Sequence, residues 1–281
     1  MTTPPKPPFA DPAPHQRRPR LAVHKFSSCD GCQLALLNAG EGLLAVAAHF
    51  DIVHFAEAGV VDEAAEADIA LVEGSISTPD ERERIRAVRE HSRWVIPIGA
   101  CATAGGPQAH RNLAHAESWL ASAYPQPEHV TALPTATAIS AHVPVELELP
   151  GCPVSTAQVL TALTSLLAGA SPRPEQDKVC LECKRRGQVC VLVAKGAPCL
   201  GPVTVTGCGA LCPGLGRDCY GCYGPAENPE VATLARRFRD LGLDADAVAR
   251  RFAYQNIGAA PFTQAVRDWR RPAVGHGDGD D

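Results

Sequence analysis

Twelve cysteines in a chain of 281 residues set the chemical question. Cys29 and Cys32 form a Cys-x-x-Cys pair around Asp30 and Gly31. Cys101 follows Gly99-Ala100, and Cys152 stands in Pro150-Gly151-Cys152-Pro153. The other eight crowd into residues 179–225: Cys180 and Cys183 as a second pair, then Cys190, Cys199, Cys208 and Cys212, then Cys219 with Cys222 as a third pair. Four thiolates are the donor set of a 4Fe–4S cuboid, and one Cys-x-x-Cys turn can clamp two of its irons. Glycines beside the ligands let backbone approach and aim amides at sulfur. The first four cysteines make one such set. The remaining eight divide most simply in sequence, Cys180, Cys183, Cys190 and Cys199 for one cluster and Cys208, Cys212, Cys219 and Cys222 for another, although ferredoxin-type chains interleave ligands. Zinc also takes four cysteines, and two Cys-x-x-Cys pairs with a spacer are a zinc-ribbon signature. A zinc-stabilised binding module is therefore the competing reading of the second region.

Composition narrows the classes. A 45% hydrophobic chain of this length can bury a core without staples, so disulfides are not the expected use of the cysteines. A net charge of −5 and 5% aromatics argue against nucleic-acid binding. No run of eighteen apolar residues suggests a membrane span. Arg17-Arg18 is a twin arginine, but no apolar stretch of signal length follows it. The expected compartment is the reducing cytoplasm, where many cysteines mean metal or redox chemistry.

The elements that must position these thiols alternate. Strands are expected at 21–26, 51–55, 67–72 and 94–98, with a fifth at 145–149. A helix is expected over 33–49, with Leu34, Leu37 and Leu44 on or near one face. Another over 79–91 is opened by a capping box of Thr78 and Glu81 with Pro79 in its first turn, and a third follows Ser155 to about 168. A helix near 113–121 is also expected. Alternating strands and helices predict an α/β, flavodoxin-like open parallel sheet over residues 20–170. Its functional loops then lie beyond the carboxyl ends of the strands, where Cys29, Cys32, Cys101, Cys152 and Glu73 all fall. Residues 171–228 read as a small irregular domain with too few large apolar side chains for a conventional core, so metal must supply cross-links. Helices follow at about 230–241 and 245–252 within a C-terminal segment, 229–270. The proline-rich start, 1–19, and the glycine-rich end, 271–281, read as a disordered arm and a flexible tail.

At these residues the sequence resembles the small subunit of nickel–iron hydrogenases. The matching pieces are Ser28-Cys29-Asp30-Gly31-Cys32, Val72-Glu73-Gly74-Ser75, Gly99-Ala100-Cys101-Ala102, Gly151-Cys152-Pro153, residues 195–202 around Cys199, and Cys219-Tyr220-Gly221-Cys222. The likeness covers about residues 21–225. It is greatest to the delta subunits of cytoplasmic, NADP-linked hydrogenases, or sulfhydrogenases; small subunits of methanogen hydrogenases are a second likeness. The related cluster subunit of NADH–quinone oxidoreductase resembles only the N-terminal α/β part and has adjacent cysteines in its first loop, unlike the pair here.

The resemblance implies three 4Fe–4S clusters: proximal on Cys29, Cys32, Cys101 and Cys152; medial on Cys208, Cys212, Cys219 and Cys222; distal on Cys180, Cys183, Cys190 and Cys199. Periplasmic members carry a histidine at Cys180 and a proline near Cys212, and hold a three-iron medial cluster. Thiolates at both positions imply complete cubanes and lower potentials, suited to a nicotinamide or deazaflavin carrier. The implied partners are a nickel–iron large subunit, where hydrogen is split, and diaphorase subunits carrying flavin, NAD(P) and further clusters. No Gly-x-Gly-x-x-Gly follows a strand here, so nicotinamide binding belongs to a partner. Glu73 is a candidate for proton transfer or an interface, with a buried structural role as its alternative. Lys184, Arg185 and Arg186 read first as a solvated basic turn and second as a docking site.

Overall fold

The computed structural model describes residues 17–113 and 116–270. Four parallel strands, β1 (Arg20–Lys25), β2 (Asp51–Phe55), β3 (Ala67–Glu73) and β4 (Ser92–Ile98), pair in the order β2-β1-β3-β4. Strand periodicity divides their side chains between two layers. Leu21, Val23, Ile69, Leu71 and Ile96 join one core with Leu36 and Leu163, whereas Ala70, Val72 and Val95 join another with Ile85 and Val88. Both faces are thus covered, as parallel sheets require.

The first core is closed by α1 (Gly31–Leu37) and, further along, α6 (Thr156–Leu167); α2 (Glu41–His49) lies beside them. α3 (Pro79–His91) covers the second face. Its expected capping box forms: Thr78 Oγ1 accepts from the Glu81 amide and the Glu81 carboxylate accepts from the Thr78 amide. Ser155 caps α6 as expected. After β4 come α4 (Gly99–Ala104) and α5 (Ala116–Ala123), the second close to its expected place.

Three expectations need correction. The helix over 33–49 is two helices, because the chain turns at Asn38-Ala39-Gly40, with Gly40 at φ 58°. Leu34 and Leu44 consequently face outward, 48% and 70% exposed. The fifth strand at 145–149 is absent from the described sheet; Leu149 makes only an isolated bridge to Ile98. Cys32 and Cys101 sit within the first turns of α1 and α4, not in loops. At the start, Arg17 pairs with Asp68 at 3.0 Å and Arg18 with Asp51 at 3.0 Å, so these two of the expected arm lie against the sheet. The rest of the arm, 1–16, and the tail, 271–281, lie outside the described residues.

The cysteine-rich stretch contains α7 (Val179–Arg185), α8 (Val191–Ala194) and α9 (Leu211–Gly214). It rests on α10 (Val231–Asp240), α11 (Ala245–Phe252) and α12 (Ala260–Trp269), the last not expected from the sequence. Val179, Val191, Leu200 and Val203 share one core with Phe238, Phe252 and Phe262. The apolar partner that the cysteine-rich stretch lacks in its own sequence comes from these helices. No single helix among the described residues is long and apolar enough to cross a membrane.

Candidate functional site

The first thiol set is assembled at the carboxyl ends of β1, β3 and β4. β1 leads into Cys29, and Asp30 takes a left-handed conformation at φ 64° that lets the chain enter α1 at once. Lys25 Nζ, 2.7 Å from the Asp30 carboxylate, steadies that turn. Glu73 lies opposite Lys25 in the register of β1 and β3. Its side chain is buried, and its two oxygens accept the amides of Cys32 and Gln33, each at 3.0 Å. Burial pushes this carboxyl up while the two amides pull it back. Cys101 follows the end of β4 on α4. The loop carrying Cys152 is stitched to the same end, the Leu149 amide donating to Pro97 O at 2.9 Å and the Ala100 amide to Gly151 O at 2.7 Å.

Glycines line this pocket for a steric reason. A methyl group on Gly99, at φ 85°, would overlap Cys32 Sγ, and one on Gly106 would stand 2.5 Å from Cys101 Sγ. The Val154 amide points at Cys32 Sγ, 3.5 Å away.

The second set, Cys180, Cys183, Cys190 and Cys199, spans α7, the start of α8 and the loop beyond it. The third, Cys208, Cys212, Cys219 and Cys222, surrounds α9 and the loop that follows. Electrostatics among the thiols report which are neighbours. Cys32 is raised by burial and by Cys101 and Cys152; Cys101 is pushed up to about 12 by burial, with Cys152 and Cys29 beside it. Cys180 reaches about 11 through burial, with Cys199, Cys183 and Cys190 near it. Cys222 reaches about 12 through burial and then Cys208, Cys152 and Cys212. These influences fall mostly within the expected sets, and a few cross between them. Cys222 feels Cys152 of the first set, Cys183 feels Cys208, and Cys199 Sγ accepts the Cys219 amide at 3.2 Å.

All twelve cysteines are free thiols. Burial makes lone thiolates costly here, and a metal can displace a thiol proton where solvent does not. Among the described residues, no three His, Cys, Asp or Glu side chains converge on a point that one metal ion would occupy. Soft thiolates, amides aimed at sulfur and glycine-lined cradles fit iron–sulfur clusters.

The family model for the NADH ubiquinone oxidoreductase 20 Kd subunit matches residues 29–166. The delta subunit of sulfhydrogenase 2 from Pyrococcus furiosus is 33% identical over 232 residues, 83% of this chain and 97% of that protein. The chain belongs to the small subunits of nickel–iron hydrogenases. It is thus an electron-transfer, iron–sulfur component of an oxidoreductase. A component of the F420-non-reducing hydrogenase of Methanococcus voltae is 30% identical over 273 residues, 86% of this chain and 95% of that protein. Among solved structures, an NAD+-reducing [NiFe]-hydrogenase chain superposes with a TM-score of 0.51 at 29% identity, covering 56% of this chain and 96% of its own. It supports the α/β fold read from the alternating elements.

Sequence reasoning missed several residues that position this hydrogenase subunit's thiols. Arg251 on α11 is largely buried. It pairs with Asp218 and donates to Pro198 O at 2.8 Å and Cys219 O at 3.2 Å, so one guanidinium holds the loops of two sets. Asn256 Nδ2 donates to Gly221 O at 2.9 Å inside the third Cys-x-x-Cys turn. Tyr223 is buried with its ring against Gly151 and Gly207, each beside a cysteine of a different set. No spacing rule marks such residues; the sole signal for Tyr223 is its place after Cys222.

Proposed function

We propose that the three thiol sets each hold a 4Fe–4S cluster, proximal on the first, medial on the third and distal on the second. The chain then relays electrons between a nickel–iron large subunit and an NAD(P)-linked diaphorase bearing flavin and clusters, in either direction. The observation that carries this reading is the adjacency of the sets: Cys199 Sγ accepts the Cys219 amide, and the Tyr223 ring, next to Cys222, packs against Gly151, next to Cys152. When bound, each cluster accepts or gives up one electron without bond chemistry in this chain.

The chain's own residues supply the rest. Cys199 and Cys219 are 6% and 5% exposed, so protein rather than water surrounds the junction of the second and third sets. Backbone amides donate to the sulfurs of Cys32, Cys199 and Cys219 and favour the thiolate state. With both oxygens of Glu73 given to the amides of α1, holding Cys32 in place is favoured over proton transfer for this residue. The solved relative is named for NAD+ reduction, which supports a nicotinamide-linked partner. Twelve unpaired cysteines support a reducing compartment, the cytoplasm.

Metal and sulfide analysis of the anaerobically purified complex tests the cluster reading. The expected value is about twelve irons per chain with matching sulfide, by ligand count. Stoichiometric zinc without sulfide rejects it. Identification of the co-purifying subunits tests the diaphorase assignment.

A further inference from the structure

A charged pair stands at the junction of the second and third thiol sets. Arg251 on α11 and Asp218 are ion-paired, with side chains 12% and 18% exposed. The guanidinium donates to the carbonyl of Pro198, the residue before Cys199 of the second set, and to that of Cys219 in the third. Asp218 directly precedes Cys219 in the chain. Two aromatic rings flank the cation. Its central carbon is 5.1 Å from the ring centre of Tyr220, which lies between Cys219 and Cys222, and 5.8 Å from that of Tyr254. The two rings meet edge to face at 5.6 Å. Aromatic faces attract a cation and keep water from it.

Holding two loops does not require a charge. Asn256 grips the Gly221 carbonyl of the same Cys-x-x-Cys turn with a neutral amide, at 2.9 Å. A largely buried guanidinium and carboxylate carry a desolvation penalty that an amide avoids. What a charge adds, and an amide does not, is a field. Away from water a unit charge acts over several ångströms with little screening. Net charge around an iron–sulfur cluster is one of the terms that set its potential. Reduction brings in an electron, so a nearby cation favours the reduced state and a nearby carboxylate opposes it.

We infer that the Asp218–Arg251 pair sets the potentials of the second and third clusters together, each member offsetting the effect of the other. The inference rests on the relay reading above and adds two residues that act on the outer clusters by charge and not as ligands. The bonds of Arg251 reach the loops of Cys199 and Cys219, and none among the described residues reaches a loop of the first set. The first cluster is therefore the internal reference.

The test is a potentiometric titration followed by EPR on the native complex, isolated through a tag on this chain, with iron per chain measured on each preparation. Asp218→Asn keeps the shape and removes the negative member. It is expected to raise the reduced-to-oxidised ratio of the outer clusters about tenfold at a fixed applied potential, about 59 mV for one electron. Arg251→Gln is expected to lower that ratio by a similar factor. Arg251→Lys, which keeps the charge and loses the fork, should stay near wild type, and the double variant Asp218→Asn, Arg251→Gln should return toward it. A purely mechanical clamp would release iron in both single variants and give no opposite signs. Full iron with unmoved potentials in Asp218→Asn, shifts of the same sign in the two single variants, or an equal shift in the first cluster each overturn the proposal. If Arg251→Gln loses its outer iron, Asp218→Asn and Arg251→Lys decide by the same criteria. Wild-type complex without iron and its EPR signals rejects the cluster reading itself.

Discussion

Gly99→Ala offers a direct measurement of how tightly the first thiol set is cradled. Two terms act. Alanine at φ 85° is in the left-handed region, which costs about 1–2 kcal/mol for an L-residue. Its methyl would also overlap Cys32 Sγ and stand 3.4 Å from Gly151 O. Ordinary contact needs about 3.5–4 Å, so the sulfur must move by roughly 1 Å or more. Overpacking of this kind costs about 1–3 kcal/mol, for a total of about 2–5 kcal/mol. Gly59 provides the control, because its φ is 82° and nothing lies within 4 Å of a methyl built there. Gly59→Ala carries the backbone term alone. The assay is the urea midpoint of the anaerobic protein with iron per chain. Gly59→Ala is expected to lower stability by about 1–2 kcal/mol and keep all its iron. Gly99→Ala is expected to lose more stability and about a third of the iron, the share of one set by ligand count. If the two variants shift the midpoint equally and both keep full iron, the cradle reasoning is wrong.

Cys212→Pro is expected to leave three thiolates in the third set and a three-iron centre, seen as an EPR signal in the oxidised protein; three unchanged four-iron clusters would remove Cys212 from the ligand set. Arg251→Ala strips a buried charge from Asp218 and releases the loops at Pro198 and Cys219, so a loss of about 3–5 kcal/mol is expected in the same denaturation assay. Iron in that variant should fall from the second and third sets first. His24 and His54 are buried and stacked at 4.6 Å between β1 and β2, and burial, His54 and Arg84 lower His24 to about 3. Below about pH 6.5 the unfolded chain takes up a proton that folded His24 refuses, so stability falls by about 1.4 kcal/mol per pH unit until pH approaches 3. His24→Asn should flatten this loss across the interval from about pH 6.5 down toward 3, between the unfolded and folded values; an unchanged slope would clear His24 of the effect.

Much of this arrangement was legible from short-range patterns. The capping box of Thr78 and Glu81 and the runs of β-branched residues in β2 and β3 are local signals. The delivery of Cys29, Cys32 and Cys101 to one side of the sheet followed from the alternating fold, since successive parallel strand ends point the same way. The failures have physical causes as well. Apolar periodicity runs through residues 33–49 without a break, and only Gly40 marks the turn that sends Leu34 and Leu44 outward. Residues 145–149 look like a strand because Val145, Leu147 and Leu149 alternate, yet the segment bonds β4 only sparsely, through the Glu146 amide to Val95 O and the Leu149 amide to Pro97 O, and forms a single isolated bridge. α12 hides behind Pro261 and Thr263, although Phe262, Ala265 and Val266 bury one face. Arg251 and Asn256 act across more than thirty residues of sequence, on backbone carbonyls that carry no sequence identity at all.

The placement of Arg251 also governs when the polypeptide becomes competent during synthesis. Every residue of the first thiol set has left the ribosome once position 154 emerges, and the strands that aim it are already complete. The loops at Pro198 and Cys219 wait for a guanidinium from a helix near the far end of the chain, and for the phenyl rings of Phe238, Phe252 and Phe262 beneath them. A nascent or truncated product ending before α11 therefore carries a finished inner site and an unsupported outer pair, and the biogenesis machinery meets the two halves of the wire at different times.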